Sequence, residues 1–259
     1  MPTEQLFNLT GRVAVVMGGT SGIGRAIAVG LAQAGADVVA TGRREPLVRE
    51  ITDEIRASGR KSLPVTVDAA SRESIDALCD AVSGELGRVD ILINAAGQTF
   101  RKPTVQIGEG QWNGLLDVNL TGTLRACQSF YPALASSGRG RVINIASLTS
   151  YVAFFEVAAY AASKAGVLGL TRSLAVEWAQ KGVNVNAIAP GVFRTALNSG
   201  LLDGSARGRE LLTRTPMKRF GHVEELIGAA IFLASDASSF VTGQCITVDG
   251  GFLASGVNV

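Results

Sequence analysis

Two side chains able to move a proton lie four residues apart in the segment YAASK, namely Tyr160 and Lys164. The apolar spacing around them predicts a helix that runs to about residue 180, and side chains four apart share one helix face. A free tyrosine has a pKa of about 10. A fixed ammonium nearby favours the phenolate, which lowers that pKa and makes the phenol a usable acid and base. The pair therefore predicts proton transfer by Tyr160.

A hydroxyl side chain, Ser147, directly follows the predicted strand Gly140–Ala146 and precedes Tyr160 by thirteen residues. In a doubly wound sheet, ligands bind beyond the carboxyl ends of the strands. We therefore expect Ser147 in the same cleft as Tyr160, where its hydroxyl can hydrogen-bond a reacting oxygen.

A glycine-rich turn, GGTSGIG at residues 18–24, separates the first predicted strand from the first helix. Glycines let backbone amides approach a pyrophosphate, and the N-terminus of the following helix adds unpaired N–H donors. The sequence therefore predicts a dinucleotide site whose phosphate end consists of Gly18, Thr20, Ser21, Gly22, Ile23 and Gly24.

Short β-branched runs alternate with helical patterns along the chain. This alternation predicts an α/β fold, a doubly wound (Rossmann) sheet of about seven parallel strands flanked by helices. We expect one domain over residues 1–259, with residues 195–215 forming either a substrate-loop insertion or an ordinary amphipathic helix. The predicted strands are Arg12–Met17, Asp37–Thr41, Ser62–Val67, Val89–Asn94, Gly140–Ala146, Val183–Ala189 and Cys245–Val248.

Composition narrows the function classes. Apolar residues make up 47% of the 259 residues, and the net charge of +2 comes from scattered basic side chains, which disfavours nucleic acid as a partner. No apolar run approaches the ~18 residues of a membrane span, and the N-terminus has no signal-peptide pattern. The three cysteines fit no metal-ligand spacing. We therefore expect a cytoplasmic protein without a metal or a membrane contact.

The single histidine, His222, restricts the possible mechanisms. A zinc site built from several histidines is excluded. The G-x-S-x-G turn of serine hydrolases is absent as well. His222 lies at a predicted helix start, where an exposed side chain is expected, so Tyr160 remains the better candidate for proton transfer.

The chain resembles the short-chain dehydrogenase/reductase family in its glycine turn, its serine–tyrosine–lysine spacing and the segment NAAG at residues 94–97. The resemblance runs from about residue 9 to 252, with Met17 in place of the threonine that usually opens the turn. It implies that Asn119 is a fourth catalytic residue that holds a water leading to Lys164. It also implies that Lys164 binds the nicotinamide ribose. It further implies a homotetramer, whose interfaces we expect at an apolar helix Leu115–Ala135, the Tyr160 helix and the C-terminal segment Gly251–Val259.

The resemblance also assigns the remaining cofactor contacts. Asp68 would accept from the adenine amino group, and Asn94 and Gly97 would shape the adenosine side. On the nicotinamide side it implies Ile188 by its backbone, Thr195 by its side chain, and the turn Pro190-Gly191. Tyr160 and Lys164 complete the set.

Cofactor choice depends on the end of the second strand. By alignment with the family, Gly42 stands where NAD enzymes place a carboxylate for the ribose 2′-hydroxyl. Arg43 follows, and its guanidinium could grip a 2′-phosphate. We therefore predict NADP(H) as the preferred cofactor, with NAD(H) possible.

The predicted reaction is hydride transfer between nicotinamide and a carbonyl/secondary-alcohol pair, with Tyr160 as acid/base. In overall sequence the chain is similar to gluconate 5-dehydrogenase-like and 3-oxoacyl-carrier-protein reductase-like members. This similarity favours a sugar or sugar acid as the small-molecule substrate and leaves a 3-oxoacyl thioester as an alternative. A non-catalytic nucleotide-binding regulator and an epimerase or dehydratase relative are further alternatives.

Overall fold

The computed structural model describes residues 3–195, 202 and 204–257. In this part of the chain, six parallel strands form one sheet in the order β2-β1-β3-β4-β5-β6. From β1 the chain first winds toward β2 and then toward β3 on the other side, so the doubly wound sheet is confirmed. The strands are β1 Val13–Met17, β2 Asp37–Thr41, β3 Ile91–Asn94, β4 Gly140–Ile145, β5 Val183–Pro190 and β6 Cys245–Val248.

Helices cover both faces of the sheet. One apolar layer joins Ile27 of α2 and Leu233 of α9 to the sheet, and the other joins Leu78 of α4, Phe130 of α6 and Leu174 of α7 to it. No helix of the described residues is both long and apolar enough to cross a membrane. The helices are α1 Thr3–Leu6, α2 Gly22–Gln33, α3 Glu45–Ala57, α4 Arg72–Leu86, α5 Glu109–Leu116, α6 Gly122–Ser136, α7 Ala158–Trp178, α8 Ala206–Arg214 and α9 Ile227–Ala234.

The predicted seventh strand, Ser62–Val67, is wrong. Pro64 lies in its middle and has no N–H to donate to a strand ladder. The next residue turns back locally, with the N–H of Val65 donating to the carbonyl of Leu63 at 3.0 Å. The segment reaches β2 through only two flanking backbone hydrogen bonds of 3.0 Å each, so it lies beside the sheet without extending it.

The single apolar helix expected over Leu115–Ala135 is interrupted. A π-helical turn, Asp117–Thr121, separates α5 from α6. Such turns insert one extra residue per turn and occur frequently at functional sites. Asn119 lies at the centre of this turn and is fully buried.

The predicted substrate-loop insertion, residues 195–215, is described only in part. Residues 196–201 and 203 lie outside the described residues, while α8 covers Ala206–Arg214. Leu202 and Leu211 pack with Phe252 and with Leu148, which directly follows Ser147. The described part therefore lies against the loop that leaves β4.

Candidate active site

The glycine turn after β1 requires its glycines. A Cβ on Gly24 would lie 2.1 Å from the carbonyl oxygen of Gly18, and one on Gly18 would lie 2.6 Å from the amide nitrogen of Ala96. Gly18 also adopts a φ of 79°, which disfavours any other residue. The turn therefore packs backbone against backbone and leaves the start of α2 accessible to a ligand.

The N-terminus of α2 carries the donors that a phosphate needs. Ser21 precedes the helix in an extended conformation and supplies no side-chain cap to its N–H groups. These N–H groups and the helix dipole favour an anion at this end. Ile23 was predicted as part of the phosphate end of the site. Its side chain is partly buried against the core, so it holds the turn in place by packing.

Thr195 connects the two halves of the predicted cofactor site. Its methyl group would lie 3.6 Å from a Cβ on Gly22, so the segment after β5 covers the glycine turn. A pocket of about 480 Å³ opens beside it, lined by Arg194, Thr195, Phe220, Gly221, His222, Val223 and Glu224. His222 is exposed and caps a short 3₁₀ helix, as the sequence predicts.

The adenosine end lies at the end of β2. A Cβ on Gly42 would approach the hydroxyl of buried Thr20 to 3.0 Å, so a carboxylate side chain here would push against the turn. Arg43 is exposed and makes no hydrogen bond or ion pair among the described residues. In contrast, Arg25 is paired with Glu54 at 2.6 Å. Arg43 is therefore available to a 2′-phosphate.

The structure fits the predicted cofactor contact of Asp68 but not a side-chain contact by Asn94. Asp68 is partly buried, and one of its carboxylate oxygens accepts from the N–H of Ala70 at 3.0 Å, which leaves acceptor capacity for an adenine amino group. Asn94 instead points into the core, where its amide donates to Asn144 at 2.9 Å. Asn94 thus holds the end of β3 in place, and a direct cofactor contact by its side chain does not fit this orientation.

Ile188 lies in the strand where the sequence places it, but the structure does not fit its predicted cofactor role. It is fully buried inside β5, between Ile145 of β4 and Ile246 of β6. Its carbonyl accepts from the N–H of Ala146 at 2.8 Å. Its backbone belongs to the sheet, so it does not fit a nicotinamide contact.

Pro190 is the last residue of β5, one residue beyond the predicted strand, and Gly191 follows it. The N–H of Gly191 donates to the carbonyl of Val248 at 2.8 Å, and a Cβ on Gly191 would lie 2.5 Å from the Cα of Asp249. Only glycine permits this close approach. The chain thus leaves β5 toward Thr195 and the cofactor side of the cleft.

Ser147 leaves β4 as the cap of a short 3₁₀ helix. Its hydroxyl oxygen accepts from the N–H of Thr149 at 3.2 Å, so its proton can be donated elsewhere. Ser150, which the sequence analysis missed, ties this loop to α7. Its hydroxyl accepts from the N–H of Ser147 at 3.3 Å and donates to the carbonyl of Lys164 at 2.8 Å.

Tyr160 and Lys164 face the same space on α7. The Lys164 ammonium lies 5.7 Å from the centre of the Tyr160 ring and donates to the carbonyl of Ile145 at 2.7 Å. This bond anchors the lysine at the carboxyl end of β4. The predicted orientation of both side chains into one cleft is therefore consistent with the structure.

Burial dominates the protonation of this pair. It lowers the pKa of Lys164 to about 8 and raises the pKa of Tyr160, which a hydrogen bond to Ser147 opposes. The lowered tyrosine pKa expected from the sequence is not found, because the enclosed protein surroundings penalise the phenolate more than they favour it. At neutral pH the lysine still carries its charge, which is the form that stabilises a phenolate.

Asn119 is held rigidly beside the pair. Its side chain exchanges two hydrogen bonds with the backbone of Gln98, at 2.8 and 2.9 Å, and donates to Ser163 at 3.1 Å. A Cβ on Gly97 would lie 3.4 Å from the Asn119 carbonyl oxygen and 3.8 Å from the Lys164 nitrogen. Gly97 therefore separates these two groups and keeps the space between them open.

Residues 18–253 match the family model described as enoyl-(acyl carrier protein) reductase, which covers the glycine turn and the Ser147–Tyr160–Lys164 arrangement together. The chain belongs to the short-chain dehydrogenase/reductase family. It is 41% identical over 249 residues to the 2-dehydro-3-deoxy-D-gluconate 5-dehydrogenase of Escherichia coli, which is 96% of this chain and 98% of that relative.

Solved structures of the short-chain family agree with this fold. A putative NAD(P)-dependent gluconate 5-dehydrogenase from Beutenbergia cavernae with bound NADP is 46% identical, with a TM-score of 0.92 over 96% of this chain and 100% of that one. A gluconate 5-dehydrogenase from Burkholderia cenocepacia in complex with NADP and tartrate is 39% identical, with a TM-score of 0.94 over 98% and 99%. The chain is therefore an oxidoreductase that acts on CH–OH groups, and a non-catalytic regulator is not supported.

Proposed function

We propose that the chain is an NADP(H)-preferring dehydrogenase/reductase that interconverts a secondary alcohol and a carbonyl on a sugar or sugar acid. The observation that carries this proposal is that Ser147, Tyr160 and Lys164 share one cleft, and that Ala96 and Gly97 connect Lys164 to the glycine turn after β1. The relatives named gluconate dehydrogenases support the substrate class.

The residues present fit the dinucleotide. The bare start of α2 suits the pyrophosphate, and exposed Arg43 beside Gly42 suits a ribose 2′-phosphate better than a free hydroxyl. The relatives with bound NADP support the same choice. When bound, reduced nicotinamide supplies the hydride and the oxidised ring accepts it.

Three side chains handle the proton and the charge. During reduction, Tyr160 donates its phenolic proton to the oxygen of the carbonyl, while the hydroxyl of Ser147 donates a hydrogen bond to the same oxygen and stabilises its developing charge. The Lys164 ammonium stabilises the tyrosinate that remains, and Asn119 keeps the adjoining backbone of Gln98 in place. Oxidation of the alcohol runs these proton transfers backward.

A substrate panel tests the proposal. The purified protein would be assayed with sugar acids, neutral polyols and a 3-oxoacyl thioester, each with both nicotinamide cofactors, by following the absorbance of reduced nicotinamide. We expect turnover of a sugar or sugar acid and a higher kcat/KM with NADP(H). Turnover of the thioester alone would contradict the proposed substrate class.

We also propose that the enzyme is a homotetramer. Val176 on α7 is 82% exposed, and α7 is one of the interfaces that the family resemblance implies, with residues 115–135 and 251–259. A partner subunit packed on this face of α7 would bury Val176. The cytoplasmic location stays a prediction from the sequence.

A further inference from the structure

Charged and aromatic side chains from three separate elements meet next to the loop that leaves β4. Arg101 comes from the β3–α5 loop, Arg207 comes from α8, and the β4–α7 loop contributes Phe154, Phe155 and Glu156. We call these five residues the rim.

The rim is connected to the catalytic serine by direct packing. Phe154 lies against Phe252, with ring centres 5.8 Å apart, and both belong to an apolar cluster that includes Leu148. Leu148 directly follows Ser147 in the chain. The rim is therefore connected to the loop that carries Ser147.

Arg101 is neutralised within the rim. Its guanidinium pairs with the carboxylate of Glu156 at 2.7 Å and lies 5.9 Å from the centre of the Phe155 ring. The carbonyl of Glu156 accepts from the N–H of Lys102 at 2.9 Å, which fixes the two loops together. The Lys102 ammonium points elsewhere and donates to Gln111 of α5 at 2.8 Å.

Within the described part of the chain, Arg207 is the cation of the rim that forms no ion pair with a carboxylate. It donates to the carbonyl of Phe155 at 3.2 Å and lies 5.8 Å from the centre of the Phe154 ring, but it makes no ion pair among the described residues. Burial and then the charge of Arg101 lower the pKa of Arg207, and the carboxylates of Glu210 and Glu156 oppose this only in part. An incoming anion would offset the remaining charge.

We propose that Arg207 binds the carboxylate of the substrate and makes the enzyme select sugar acids over their neutral counterparts. A guanidinium is suited to this role because its planar N–H groups match the two oxygens of a carboxylate. The contacts to Phe154 and Phe155 hold the group in place, so little side-chain freedom is lost on binding. This inference rests on the proposed function, since it assumes a sugar acid in the same cleft.

The test compares two arginines of the same helix. Arg207→Ala removes the proposed contact, whereas Arg209→Ala removes an exposed arginine that donates to the carbonyl of Gly204 at 2.8 Å. Steady-state kinetics with NADP⁺, and calorimetric binding to the unreactive enzyme–NADPH complex, would be measured with D-gluconate and with D-gluconamide, in which a neutral amide replaces the carboxylate.

We expect Arg207→Ala to raise the KM and the dissociation constant for gluconate by about 10- to 100-fold, the range of a hydrogen bond to a charged group. The KM and the dissociation constant for gluconamide should change less than about threefold. Arg209→Ala should leave these constants unchanged for both ligands. Added salt should weaken gluconate binding more in the wild type than in Arg207→Ala.

Equal losses for gluconate and gluconamide would overturn the inference alone, since they would indicate that Arg207 only positions α8. No loss for either ligand would overturn it in the same way. If the wild type turns over neutral polyols but neither binds nor oxidises gluconate, the sugar-acid class and the inference both fail.

Discussion

Lys164 carries its charge in a place that water barely reaches. It is 5% exposed, and burial lowers its pKa from 10.5 to about 8. Between these two values the unfolded chain binds the proton and the folded chain does not, so folding becomes more favourable as the pH rises through this window. The catalytic cation is therefore held at a cost in stability at neutral pH.

Lys164→Met tests this cost. At pH 7 we expect the variant to be as stable as the wild type or more stable, by up to about 3 kcal/mol in the free energy of unfolding. The difference in the free energy of unfolding should shrink between pH 8 and 10, because only the wild type becomes more stable over this range. Urea unfolding of both proteins without cofactor measures the difference, and a difference independent of pH would contradict the pKa of about 8.

Tyr160→Phe keeps the ring and removes the exchangeable proton. We expect kcat to fall by about 10²- to 10⁴-fold, the usual contribution of a positioned acid or base, while the affinity for NADP(H) stays nearly unchanged. Tyr131→Phe is the matched control, because Tyr131 stacks on Trp178 with ring centres 4.6 Å apart and takes no part in the site. Retention of kcat within a few-fold in Tyr160→Phe would reject its role.

Arg43 should discriminate between the two cofactors. We expect Arg43→Ala to raise the KM for NADP⁺ by about tenfold or more and to leave the KM for NAD⁺ nearly unchanged, because only NADP⁺ carries the 2′-phosphate. Arg49→Ala is the control, since Arg49 is exposed and paired with Glu45 at 2.7 Å. Equal effects of Arg43→Ala on both cofactors would refute the assignment.

At the scale of elements, the glycine turn shows how packing fixes residue type. Gly24 and Gly84 both lie in helices, but a Cβ on Gly24 would strike a backbone oxygen at 2.1 Å, while one on Gly84 would meet nothing within 4 Å. At Gly84 only the helix preference for alanine over glycine applies, whereas at Gly24 the packing of the turn requires glycine.

Alanine should impair cofactor binding at position 24 and stabilise the protein at position 84. Gly24→Ala should weaken NADP(H) binding by at least about tenfold, because the turn must move away from the phosphate position. Gly84→Ala should stabilise the protein by roughly 0.5–1 kcal/mol and leave cofactor binding unchanged. Fluorescence titration and chemical unfolding give the two readouts, and similar effects at both sites would argue against a special role for the turn.

The order of the elements, and the functional residues that directly follow strands, could be predicted from the sequence. Ser147 and the glycine turn could be predicted because they come directly after strands, and parallel strands all end at the same edge. The strand Ser62–Val67 was overpredicted because its β-branched residues outweighed the missing N–H of Pro64.

The orientation of side chains inside strands could not be predicted. All residues of β3 and β4 are buried, so neither strand shows the polar–apolar alternation that identifies a face. Asn94 therefore gave no sign that it points toward Asn144. The role of Ser150 was hidden as well, because it depends on two loops and a helix that meet only in the folded chain.

At the scale of the whole molecule, the exposed face of α7 predicts assembly. Val176→Asp should lower the mass in light scattering below four times the chain mass of 26.9 kDa, because a buried charge at an interface is costly. Phe240→Asp is the control, since Phe240 is fully exposed and lies outside the three implied interfaces. A monomer mass for the wild type would contradict the homotetramer.

The two edges of the sheet differ in what they offer to another chain. Beyond β2, two backbone hydrogen bonds hold residues 61–67, one from Val38 to the carbonyl of Lys61 and one from Val67 to the carbonyl of Gly42, and Pro64 leaves this flank without a continuous row of donors. The opposite edge is β6, Cys245–Val248, in which Thr247 is exposed and the other three residues are half-buried. Strand addition by another polypeptide is therefore hindered beyond β2, whereas no strand of the described residues lies beyond β6, so we expect aggregation that begins from the folded sheet to start at β6.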